Sequence, residues 1–172
     1  MHPHTRKVLM AGLWAGVIGY GTVAVVVAAL NLLAGRSPFY TAALFGAALF
    51  YGLDDPATLV VAPGPVLSYN MVHLLAFLVL GLSASWLVAL AEKYPTAQYL
   101  VLVALIFIAF HVYAFLSLIS MPLLGGEAWW HVGAGTLAAA ILMGWYLWRR
   151  YPLIKRELEL LPMGETSVPP ER

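Results

Sequence analysis

Three histidines fall inside long apolar runs of this chain: His73, His111 and His131. Ionisable side chains in such runs are rare and tend to carry function. A neutral imidazole can ligate haem iron, copper or zinc, or relay a proton. Tyr69 and Phe77 lie one turn either side of His73, with Asn70 close by, and Phe107 and Phe115 flank His111 in the same way. Glu127 stands four residues before His131, on the same helix face, and Gly135 four residues after. The two remaining histidines, His2 and His4, belong to the N-terminal tail.

Three arrangements fit these residues. In the first, His73 and His131 are axial ligands of a b-type haem, and Gly135 leaves room for the macrocycle. In the second, His73, His111 and His131 hold a transition metal, with Glu127 as a further ligand. The third asks least: each imidazole hydrogen-bonds a nearby Ser, Tyr, Asn or carbonyl and ties two helices together. No span carries two histidines, so spacing alone does not favour haem.

Other chemistries are excluded or unsupported. The chain has no cysteine, which removes thiol catalysis, disulfide exchange and cysteine-ligated metals. No His-Glu-x-x-His occurs, and no Gly-x-Ser-x-Gly elbow. The glycines between Gly12 and Gly21 lie within an apolar run and follow no strand, so they are no phosphate loop. No Asp, Glu, Lys or Arg falls near the centre of a span, where ion-coupled carriers place them. A net charge of +1 gives no basic surface for nucleic acid. We therefore expect no catalytic activity of the chain's own.

The elements that position the histidines follow from composition. Of 172 residues, 62% are hydrophobic and 10% charged, against about a quarter charged in soluble domains. A fold this small cannot bury that much apolar surface, so the surplus faces lipid. Apolar runs at 8–34, 66–91, 96–121 and 127–148 are each long enough to cross a hydrocarbon core of about 30 Å at 1.5 Å per residue. A shorter run, 39–52, begins after Ser37-Pro38 and ends at Gly52; it spans roughly 21 Å, too little to cross. The expected fold is therefore all-α and polytopic: four transmembrane helices in an antiparallel bundle, with one short outer helix that lies on the membrane or re-enters it. Pro63-Gly64-Pro65 is expected to break the helix before the second span, and Pro122 to end the third.

The division is into a transmembrane domain, 1–151, and a tail, 152–172. Within the tail, Leu153, Ile154, Leu158 and Leu161 alternate with charged residues, as in a short interfacial helix. Orientation comes from Lys and Arg. Arg6, Lys7, Lys93, Arg149, Arg150, Lys155, Arg156 and Arg172 fall on one side, and Arg36 alone on the other. The first side is cytoplasmic, so the chain is expected in the cell inner (plasma) membrane with both termini inside. Helix rise then places His73, His131 and His111 about 9, 12 and 3 Å outward of the midplane, all in the outer half.

Small residues predict the packing. Gly12, Gly16 and Gly19 line one face of the first span, Gly81 and Ser85 one face of the second, and Ala140 and Gly144 one face of the fourth. Such faces let helices approach closely, within the bundle or with another subunit. Trp129, Trp130, Trp145, Tyr146 and Trp148 bracket the fourth span as an aromatic belt. The function expected from these features is a non-catalytic accessory subunit of a larger respiratory or photosynthetic membrane complex. Its partners would be the bilayer and other membrane subunits. The alternative is a protein with a His-ligated haem or metal site in the outer half.

Overall fold

The computed structural model describes residues 3–94, 98–125 and 128–151. Over these residues the chain is all-α, with five helices and no strand. They are α1 (Pro3–Leu33), α2 (Tyr40–Phe50), α3 (Pro63–Lys93), α4 (Gln98–Leu124) and α5 (Ala128–Arg150), with a short 3₁₀ turn at Pro56–Thr58. Glu127 and the tail 152–172 lie outside the described residues.

The helix ends explain where sequence expectations shift. Pro63-Gly64-Pro65 starts α3 instead of breaking it. The first helical N–H groups have no partner within the helix, so proline loses nothing there. Pro122 lies inside α4, which runs on to Leu124 and stops at Gly125, φ +57°. Only the last turn follows the proline, so a single missing N–H does not end the helix. The helix α1 closes on Gly35 at φ +69°. The Gly35 N–H reaches the Leu32 carbonyl at 3.0 Å and the Arg36 N–H the Asn31 carbonyl at 2.8 Å, which is a Schellman ending.

Close approaches set the directions of the helices. A Cβ on Gly12 would lie 2.7 Å from Leu82 Cα, and one on Gly16 2.8 Å from Leu78 Cα. Tyr20, two turns further along α1, reaches Asn70. Residue numbers rise along α1 as they fall along α3, so the two helices are antiparallel. Lys7 sits over Tyr151 and Val23 against Gly135, so α5 is also antiparallel to α1. The helix α1 packs against both α3 and α5, which barely touch each other. The helix α4 leans on α5 and more lightly on α3.

The distribution of side chains is inverted relative to a soluble protein. The buried positions are Ala11, Ala15, Asn31, Ala43, Ser85, Ala89 and others of that size, with few large side chains among them. The exposed positions include Trp14, Val25, Leu33, Met71, Leu75, Phe110, Trp130 and Leu137. Val25 is 70% exposed in the middle of α1, and Trp130 80% exposed on α5. Two helical segments, Thr5–Leu33 and Pro63–Lys93, are long and apolar enough to cross a membrane. The other apolar stretches among the described residues, Tyr40–Phe50 and Val103–Ala114, are shorter than the ~20 residues a span needs. The helix α5 carries His131, Gly133, Gly135, Arg149 and Arg150, which dilute its apolar content.

Candidate functional site

The N-terminal half of α3 carries a column of stacked rings built from three helices. Tyr69, His73 and Phe77 recur every fourth residue, so they stand above one another on one face. Tyr69 and His73 stack with centroids 5.0 Å apart and planes 21° apart. Phe77 meets His73 edge-on at 5.0 Å. Above them α2 contributes Phe45, stacked on Tyr69 at 5.5 Å. From α1, Tyr20 approaches His73 at 6.0 Å and donates a 2.8 Å hydrogen bond to Asn70 Oδ1. Asn70 in turn donates to the Val66 carbonyl at 2.7 Å, back along its own helix. His73 is thus held by ring contacts, and among the described residues no hydrogen bond to its nitrogens is found.

A second polar contact closes the same end. Asn31, fully buried near the end of α1, accepts from Thr41 Oγ1 at 2.9 Å and donates to the Pro38 carbonyl at 3.3 Å. It fastens α2 to α1. On the other flank Gly46 lies directly against the Pro65 carbonyl, where any side chain would collide. The short helix α2 is therefore clamped on the bundle by α1 and α3.

The other two histidines go elsewhere. His131 is buried on α5. One turn along, Val23 of α1 fills the space over Gly135, 3.3 Å from where a Cβ would sit. His111 is exposed on α4, with Nδ1 2.8 Å from the Phe107 carbonyl. Among the described residues no three His, Cys, Asp or Glu side chains gather into a group that could hold a metal ion. Depth along a helix fixes only height. It says nothing about which way a side chain turns, and α1 lies between the helices that carry His73 and His131.

The opposite end of the bundle, where α1 begins, holds a cluster that sequence reading missed. Ser85 on α3 is fully buried; it donates to the Val8 carbonyl at 2.9 Å and shares a 2.9 Å hydrogen bond with the Tyr151 hydroxyl. Lys7 pairs with Glu92 at 3.6 Å and covers the Tyr151 ring at 4.6 Å. Burial pushes the Tyr151 hydroxyl's pKa up, Ser85 opposing it. The cluster joins the first turns of α1 to the last turns of α3 and α5. Its sequence signal was Ser85, one turn after Gly81 in an apolar run, and a tyrosine just past Arg149-Arg150. Cations also sit over rings elsewhere at helix ends: Arg36 over Tyr40, Lys93 over Tyr94 and Arg149 over Trp145. Such pairs suit a membrane interface, where the ring is apolar and the charge reaches water.

No protein-family model, no curated protein and no solved structure matches the chain.

Proposed function

We propose that the chain crosses the bilayer four times, with both termini on the cytoplasmic side, and serves as a non-catalytic accessory subunit of a larger membrane assembly. The observation that carries it is the difference between the small-residue faces. Those of α1 and α3 are used up inside the bundle, where Gly12, Gly16 and Gly81 meet backbone atoms of the facing helix. The one on α5 faces outward. Gly144 has nothing within 4 Å of where its Cβ would be, and Ala140 is exposed. Exposed Leu137, Ile141, Trp145 and Trp148 border them. Lipid chains fill such a groove poorly, whereas another helix can approach it closely.

Membrane placement is supported by the inverted distribution of side chains and by two helices of spanning length and apolarity. The crossing of α4 and α5 is supported by their antiparallel alternation with α1 and α3, and by the aromatic and cationic residues at their ends. The test is purification in a mild detergent followed by native mass spectrometry. The expected result is a stoichiometric partner, drawn from a respiratory or photosynthetic complex. Gly144→Leu is expected to release that partner while leaving the purified chain folded. A monodisperse chain with no partner, or a Gly144→Leu variant that retains it, would overturn the proposal.

A further inference from the structure

Lipid can cover the apolar side chains of α4, but it cannot satisfy an imidazole. Every residue from Ile106 to His111 is exposed, and that is more than a full turn of 3.6 residues. His111 is the polar side chain in this uncovered stretch. Its Nδ1 lies 2.8 Å from the Phe107 carbonyl oxygen. A carbonyl has no proton to give, so Nδ1 carries the proton and donates it. In the neutral ring Nε2 then holds a lone pair. A backbone carbonyl on one imidazole nitrogen is how proteins fix the tautomer and orientation of a histidine that ligates metal through the other.

We propose that His111 is the axial ligand of a planar metallotetrapyrrole bound on the outward side of α4. A bare ion would need several protein ligands, and among the described residues no group of three is gathered. A tetrapyrrole brings four ligands of its own and asks the protein for one. The surroundings suit its apolar faces. The Phe107 ring packs on His111 at 3.8 Å and the Phe110 ring meets it edge-on at 5.7 Å. Phe107, Phe110 and Val103 are each 60–64% exposed and leave a broad apolar surface beside the imidazole. The lone pair, the orientation and the apolar surface are the three things such a ligand requires. A haem and a chlorophyll share this chemistry and differ in the metal they carry. The proposal rests on the membrane placement above and does not depend on a partner at α5.

The test uses the full-length chain in mild detergent, with His2→Ala and His4→Ala in place to remove the tail imidazoles. Ferric protoporphyrin IX is titrated in one arm and chlorophyll a in the other, and the absorption spectrum is followed. One of the two is expected to give a saturable, shifted band. His111→Ala is expected to weaken binding at least tenfold, and added imidazole to restore the band. The double variant His73→Ala/His131→Ala is expected to keep it. His111→Gln supplies a second variant that preserves a polar side chain of similar length should His111→Ala not stay folded. Binding of neither pigment, or equal binding by both His111 variants and the parent, would overturn the proposal. Either outcome leaves the Gly144→Leu result unaffected, so the two proposals fail separately.

Discussion

The hydroxyl oxygens of Ser85 and Tyr151 lie 2.9 Å apart, though 66 residues separate them in the chain. Both residues are fully buried, so the contact is sealed from solvent. It fastens the end of α5 to the C-terminal half of α3, while Ser85 also donates to the Val8 carbonyl of α1. Three helices are thereby pinned at one level.

Tyr151→Phe keeps the ring under Lys7 and removes only the hydroxyl. Its expected cost is about 1 kcal/mol, the usual net value of such a bond. Tyr151→Ala also empties a buried ring site and is expected to cost about 3–5 kcal/mol. Thermal unfolding in detergent measures both.

The same hydroxyl gives a pH dependence with a definite sign. Burial raises its pKa in the folded state above the ordinary value of 10.0. The unfolded chain therefore ionises first. The stabilisation is fully present below pH 10 and is lost as pH rises toward the folded value. Tyr151→Phe is expected to lose less stability than the parent as pH rises above 10; identical profiles would remove Tyr151 from the account.

Glycines on α1, α3 and α5 are expected to respond differently. A Cβ on Gly81 would press on the Gly12 carbonyl and the Gly16 backbone, so Gly81→Ala must push α1 and α3 apart. The expected cost is about 1–3 kcal/mol, typical of overpacking. Gly144→Ala meets open space and is expected within about 0.5 kcal/mol of the parent. Unfolding midpoints of the purified variants separate the two.

Asn31 and Thr41 are both buried, and each satisfies the other. Removing one leaves the other without its partner, at about 1–3 kcal/mol. Asn31→Leu is expected to loosen α2, read as faster amide hydrogen exchange over Tyr40–Phe50. Adding Thr41→Val removes the orphaned hydroxyl and is expected to recover part of the loss. A double variant no better than Asn31→Leu alone would argue against the pair.

Tyr20 and Asn70 make the corresponding link between α1 and α3. Hydrogen bonds between membrane helices couple weakly, at about 0.6 kcal/mol on average. A double-mutant cycle with Tyr20→Phe and Asn70→Ala is expected to give that magnitude, and zero coupling would mean that the two residues act independently.

Helical character, the five segments and Gly12, Gly16 and Gly81 as sites of close helix approach were legible in the sequence. Apolar periodicity and small residues report directly on which surface a helix hides. Helix boundaries were less so. Pro63 and Pro65 read as breakers because composition cannot say whether a proline falls in a first turn, where its missing N–H is harmless. The insertion of α1 between α3 and α5 was hidden as well, since short connections constrain direction more than they constrain neighbours. The histidines show the limit most plainly. Spacing along a helix does not give the turn of each side chain. So His73 ends in an aromatic column, His131 in the interior and His111 on the outer face of α4. The Ser85–Tyr151 and Asn31–Thr41 contacts needed three-dimensional placement, although each begins from a polar residue in an apolar run.

The four-crossing arrangement is tested most directly by cysteine accessibility, and the chain has no native cysteine to remove. Single variants Thr5→Cys, Ala57→Cys, Lys93→Cys, Gly125→Cys and Arg172→Cys are exposed to a membrane-impermeant maleimide in right-side-out vesicles. The account predicts labelling of Ala57→Cys and Gly125→Cys from outside, and of the other three only after permeabilisation. Labelling of Thr5→Cys and Ala57→Cys from the same side, or of Lys93→Cys and Gly125→Cys from the same side, would contradict it.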